Sequence, residues 1–120
     1  MRPERAFLIG VHDGQTSLSE AEEHLDELAS LAETMGVEVV GALVSRVMRP
    51  SPHYYLGQGK AEEIKAMALG VEADVIIFDC DLSPSQQRNW EKFTELAAID
   101  RQEVLLDIFA GRARTRPDER

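Results

Sequence analysis

The sequence predicts an α/β domain in three layers, a four-stranded parallel sheet flanked by helices in the order β-α-β-α-β-α-β-α. Two observations predict it. Four short apolar runs, at 5–11 (RAFLIGV), 37–47 (VEVVGALVSRV), 73–78 (ADVIIF) and 97–99 (AAI), have the length of strands buried on both faces. Between them lie segments with apolar residues at helical spacing, several opened by helix-capping residues. Strands that alternate with helices pair in parallel, and each crossover is right-handed.

The first run ends at Asp13-Gly14, a turn signal. Ser17 then caps a helix, with Glu20 three residues on completing a capping box. Leu18, Ala21, Leu25, Leu28, Ala32 and Met35 form its apolar stripe, and Gly36 is its stop. The second run is rich in β-branched residues. An irregular stretch at 48–59 follows, with Pro50, Pro52, Gly57 and Gly59. Helix resumes at about Lys60, with Ala61, Ile64 and Ala68 inward, and stops at Gly70. The third strand closes at Asp79. Ser83-Pro84-Ser85-Gln86 is a helix start, with Ser as cap, Pro at the first helical position and Gln closing the box. Trp90, Phe93 and Ala97 make the stripe of that helix. Asp100 with Glu103 opens the last helix, in which Val104, Leu105, Ile108 and Phe109 face the core.

Length bounds the chain to one domain, residues 1–120, large enough to hold a core unaided. Hydrophobic residues are 43% and charged residues 29%, which excludes a disordered tail as the whole. No apolar run approaches the ~18 residues of a membrane helix, so no membrane partner is expected. A single cysteine forms no internal disulfide, and the chain reads as cytoplasmic. The net charge of −9 excludes nucleic-acid binding by a uniformly basic surface. The charge is uneven. Residues 20–33 carry six acids and no Lys or Arg, the pattern of a solvated helix face. Arg112, Arg114 and Arg116 near the other end are either a nucleic-acid contact or cations offsetting a helix dipole.

Gly57-Gln58-Gly59-Lys60 imitates part of a phosphate loop. A true one needs glycine five positions before the Gly-Lys pair and Ser or Thr after it, where this chain has Tyr54 and Ala61. Glycines before a helix can offer N–H groups to an anion, but a helix terminus contributes only about 0.3–1 kcal/mol. Micromolar affinity takes about 8 kcal/mol, so the loop alone makes no nucleotide site. The other reading is a glycine-rich turn where backbones pass closely.

If the first strand is central, ligands would sit at the carboxyl ends of strands 1 and 3, in a crevice walled by His12, Asp13 and Gly14 and by Asp79, Cys80 and Asp81. These acids serve equally as turn and cap residues. Cys80 between two carboxylates is a poor nucleophile, because neighbouring negative charge disfavours the thiolate. Ser83 has a capping role and sits in no nucleophile elbow. His12, His24 and His53 have no metal-ligand spacing, so no metal site is expected. No residue set stands out as catalytic.

Three segments carry a resemblance. They are Tyr55-Leu56-Gly57-Gln58-Gly59-Lys60-Ala61-Glu62-Glu63-Ile64, then Phe78-Asp79-Cys80-Asp81-Leu82-Ser83-Pro84-Ser85-Gln86-Gln87-Arg88-Asn89-Trp90-Glu91, and Asp100-Arg101 through Leu105-Leu106-Asp107-Ile108-Phe109-Ala110-Gly111-Arg112-Ala113-Arg114-Thr115. In this order they resemble the N-terminal domain of the HflX family of ribosome-associated GTPases. Asp81, Trp90, Gln102 and Gly111 depart from that family's usual Glu, Leu, Thr and a larger residue. The family's helical hairpin and its GTPase domain should follow the third segment, and 1–120 contains neither, which implies a truncated or stand-alone domain. The resemblance implies an α/β unit without GTPase activity of its own, with GTP and Mg²⁺ belonging to the other domain. It also implies partners: the large ribosomal subunit and its RNA, and the GTPase domain in cis or trans. ATP binding by the N-terminal region has been proposed for the family.

The expected function is therefore a non-catalytic module for ribosome docking or GTPase control. Gly57, Gln58, Gly59 and Lys60 are the first candidates for contact, and Arg112, Arg114 and Arg116 the second. The alternative is a stand-alone nucleotide- or small-ligand-binding domain using the crevice of His12, Asp13, Asp79 and Asp81. A third reading is a homo-oligomerising module with Trp90, Tyr54 and Tyr55 as exposed anchors.

Overall fold

The computed structural model describes residues 3–110, in which β1 (Arg5–His12), α1 (Leu18–Met35), β2 (Glu38–Arg46), α2 (Gln58–Gly70), β3 (Val75–Phe78), α3 (Pro84–Thr94), β4 (Ala97–Asp100) and α4 (Arg101–Phe109) alternate along the chain. All strand pairs are parallel and the sheet order is β2-β1-β3-β4. The expected architecture is therefore the observed one.

The pleat separates two cores. Phe7 and Ile9 of β1, Ile76 and Phe78 of β3 and Ala98 of β4 face one way, onto Ala61, Ile64 and Ala68 of α2 and Trp90 of α3. Ala6, Leu8, Val75, Ile77 and Ile99 face the other way, onto Leu25, Leu28 and Ala32 of α1 and Val104 of α4. Each sheet face is covered by two helices, and β1 and β3 are apolar at almost every position because both of their faces are buried.

The capping signals do what their chemistry requires. Ser17 accepts from the N–H of Glu20 while Glu20 accepts from the N–H of Ser17, and Ser83 and Gln86 repeat this reciprocal pair. Asp100 caps α4 by accepting from the N–H of Glu103 at 3.1 Å. Gly36 takes φ 100°, a left-handed conformation that glycine adopts without Cβ strain, and the following N–H of Val37 reaches the carbonyl of Ala32.

Several expectations are corrected. Leu18 is 50% exposed and Phe109 is 85% exposed, so neither belongs to the core. Leu18 is the first residue of α1, and Phe109 lies at the last turn of α4, beyond the reach of the sheet. Ala97 belongs to β4 and not to the stripe of α3. α2 begins at Gln58, which places Gly59 inside its first turn. A Cβ at Gly57 or Gly59 would meet no atom within 4 Å, so no close backbone passage explains them. The close approach is at Gly41 of β2, where a Cβ would stand 2.7 Å from the Phe7 ring.

Trp90 and Tyr54 are buried and cannot be exposed anchors. They are the centre of an aromatic cluster in which Trp90 lies 5.1 Å from Tyr54 and 5.0 Å from Phe78, ring centre to ring centre. The indole N–H donates to the carbonyl of Tyr54 at 2.8 Å. One turn before it, Gln86 donates to the carbonyl of Ser51, and Asn89 donates to that of His53. One face of α3 thus clamps the otherwise irregular segment between β2 and α2, supplying partners to carbonyls that no strand or helix satisfies.

Candidate functional site

The order β2-β1-β3-β4 means that successive strands are added first to one side of β1 and then to the other, so strand order reverses between β1 and β3, and an open α/β sheet forms its crevice at the carboxyl ends of such a pair. There a cavity of about 480 Å³ is walled by Asp13 after β1, by Asp79, Cys80 and Asp81 after β3, by Tyr55 and by Arg101. Three of the four predicted crevice residues meet here. His12 does not line the cavity. It closes β1, and its carbonyl accepts from the N–H of Val47.

Two of the three carboxylates lining this crevice are committed. Asp13 accepts from the N–H groups of Gln15 at 2.8 Å and Thr16 at 2.9 Å, and these two bonds hold its carboxyl below the usual carboxylate range. Asp79, with 11% of its side chain exposed, binds Nε of Arg101 at 2.6 Å. The same guanidinium donates to the carbonyl of His24 on α1 and so ties α4 to α1. Asp100, just below the cavity, is taken up by the N–H groups of Leu82 and Glu103. Burial, and then the charges of Asp79, Asp100 and Asp81, push the Cys80 thiol up to about 12. Being protonated at neutral pH, it is no nucleophile. Burial also raises the Tyr55 phenol, with added repulsion from Cys80, Asp13 and Asp81.

Sequence reasoning missed Arg101 and Tyr55. Arg101 became visible only with the strand order, which sets the end of β4 beside that of β3. Tyr55 is brought in by a left-handed backbone, φ 71°, in a turn closed by reciprocal bonds with Ser51. No pattern in the residue types announces it.

The first-choice loop lies apart from this crevice. Gln58 donates to Glu62 at 3.1 Å, and the ammonium of Lys60 pairs with Glu63 at 3.0 Å, both on the exposed side of α2. Gly57 is the N-cap of α2 with no side chain to cap it. A phosphate loop needs a glycine-lined cradle, and the positions that would build one hold Tyr54, which is buried, and Ala61, which packs in the core. The loop at 54–61 is therefore not a phosphate loop for GTP with Mg²⁺. Arg112, Arg114 and Arg116 lie outside the described residues. Among the described residues no group of three or more His, Cys, Asp or Glu is placed to hold a metal ion, and no helix is long and apolar enough to cross a membrane.

Fold and crevice together define a parallel α/β domain whose crevice groups Asp13, Asp79 and Arg101 are spent on its own architecture. A family model described as GTP-binding GTPase N-terminal matches residues 22–110, and the chain belongs to that family. Its curated relatives narrow the family to HflX. GTPase HflX of Akkermansia muciniphila is 43% identical over 113 residues, covering 94% of this chain and 26% of the relative. GTPase HflX of Escherichia coli K12 is 40% identical over 112 residues, covering 93% and 26%. The chain thus spans about a quarter of the length of these curated relatives. The fold is shared with a GTP-binding protein from the archaeon Sulfolobus solfataricus, solved in complex with GDP, at TM-score 0.61 and 22% identity, over 89% of this chain and 30% of that one.

Proposed function

We propose that this domain performs no chemistry and serves an HflX-type GTPase in the cytoplasm, helping it dock on the large ribosomal subunit and restraining its GTPase domain. The observation against a nucleotide site is the placement of the cations at its two candidate positions, and membership of the GTPase N-terminal family supports the docking and restraining roles. Arg101 is bound to Asp79 in a partly buried pair, and Lys60 sits beside Glu63, whose carboxylate opposes a phosphate there. An anion entering the crevice meets Asp13, Asp79 and Asp81 against one guanidinium already neutralised. This disfavours the rival reading of a nucleotide site. GTP and Mg²⁺ belong, on this reading, to the catalytic part of the longer relatives.

Co-sedimentation with large ribosomal subunits over a salt series tests docking. The chain should pellet at low salt and release as salt rises. Failure to pellet at low salt would overturn the docking role. A thermal scan with millimolar ATP and GTP tests the crevice in the same preparation. No shift is expected, and stabilisation of several degrees by either nucleotide would overturn the assignment of the crevice as structural.

A further inference from the structure

β2 forms one edge of the sheet, and among the described residues no strand pairs with its outer side. Backbone alternation identifies the open groups. The N–H of Val47 points to β1, donating to His12 at 2.8 Å. Counting back by twos, Ser45 and Leu43 also face β1, so Val44 and Ala42 turn their N–H and C=O outward. Most edges of this kind are blunted by charge, by proline or by shortness. β2 is nine residues long, and from 39 to 45 it contains no charged residue and no proline.

A groove of about 610 Å³ runs beside this edge, between β2 and α1. Leu18, Leu25 and Val44 give it an apolar floor, and Leu18 is left half exposed although it opens a helix whose later apolar residues are buried. Glu22 and Asp26, one turn apart on α1, stand along the same groove. Neither joins an ion pair among the described residues.

We propose that this edge receives an extended basic segment of a partner protein as a fifth strand. Main-chain bonds form to Ala42 and Val44; on the α1 side Lys or Arg side chains lay their methylene stems over Leu18 and Val44 and reach Glu22 and Asp26, while the alternate apolar side chains take the other face of the sheet. Charge selects this occupant over a second copy. Two β2 edges pairing about a two-fold axis perpendicular to the sheet would set acidic α1 beside acidic α1, in a chain of net charge −9.

The test uses a fluorescein-labelled ten-residue peptide alternating Val or Thr with Lys, and a second peptide with Glu in place of each Lys. Fluorescence anisotropy should show binding of the Lys peptide and at least tenfold weaker binding of the Glu peptide. Amide hydrogen exchange at Ala42 and Val44 should slow when the Lys peptide is bound. Ala42→Pro, which removes an outward N–H and leaves the ladder to β1 intact, should weaken binding at least tenfold with the thermal midpoint little changed. The double variant Glu22→Lys with Asp26→Lys, on the exposed face of α1, should do the same without touching β2, and it keeps the proposal testable if Ala42→Pro fails to fold. Equal binding of the two peptides, unchanged exchange at Ala42 and Val44, or a peptide-free dimer that Ala42→Pro dissociates would each overturn the proposal.

Discussion

Replacing Trp90 with Phe should cost this domain a large share of its stability, although one aromatic ring takes the place of another. Trp90 is fully buried and its indole N–H donates at 2.8 Å to the carbonyl of Tyr54 in the segment before α2. Phenylalanine retains a ring against Phe78, whose centre lies 5.0 Å away, and against Tyr54. It leaves the Tyr54 carbonyl unsatisfied in a site closed to water, which costs about 1–3 kcal/mol. The smaller ring leaves a void worth about another 1–2 kcal/mol. The sum, about 2–5 kcal/mol, corresponds to a fall of roughly 8–20 °C in Tm at this chain length. Urea unfolding followed by far-UV circular dichroism measures it, since the variant has no tryptophan to report by fluorescence. Asn89→Ala is the companion variant. It removes the bond to the His53 carbonyl at an exposed position and should cost no more than about 1 kcal/mol. The reasoning is refuted if Trp90→Phe lies within about 0.5 kcal/mol of the parent at unchanged m, or if the two variants cost the same.

Gly41→Ala should destabilise by about 1–3 kcal/mol, because the new methyl would stand 2.7 Å from the ring of buried Phe7; a parallel Gly57→Ala, in open space, should cost no more than about 1 kcal/mol, the loss of a favoured N-cap residue, by the same urea measurement, and the opposite ranking would contradict the packing described. Cys80 should resist iodoacetamide, with a rate at about pH 8.5 roughly 10³-fold below that of an unfolded chain, since its pKa stands at about 12 against an ordinary 9.0. The sign for stability follows. A thiol raised on folding contributes fully below pH 9, and that contribution is lost as pH climbs from there toward about 12, so Cys80→Ala should flatten the alkaline limb of the stability profile. Alkylation of the folded chain at the unfolded rate would remove the basis for both statements.

What the sequence made legible and what it hid divide by the range of the physics involved. Ser17 with Glu20, and Ser83 with Gln86, were readable because a capping box closes within three residues and needs no knowledge of the rest of the chain. The strands were readable because burial on both faces leaves an apolar run whatever lies above and below. Phe109 and Leu18 were misjudged because periodicity assigns a face to a helix but not the distance over which a neighbouring element extends beneath it. Tyr54 was misjudged for a related reason, since an aromatic residue in an irregular segment looks exposed until the helix that binds that segment is in place; Trp90 was placed rightly in the stripe of α3 and wrongly only in the oligomer reading that made it an anchor. The crevice shows the same division more sharply. Asp13, Asp79 and Asp81 could be placed at strand ends from local pattern alone, whereas Arg101, 22 residues from Asp79, joins them only through the order of strands in the sheet. That order also changes what the acids mean. With Arg101 bound to Asp79 and to the carbonyl of His24, the pair fastens α4 to α1 across the mouth of the crevice, so the group that looked most like a ligand contact is a brace between two helices. At β2 the balance differs: among the described residues its outward backbone donors and acceptors remain open, and Glu22 and Asp26 nearby, unlike Asp79, pair with no cation.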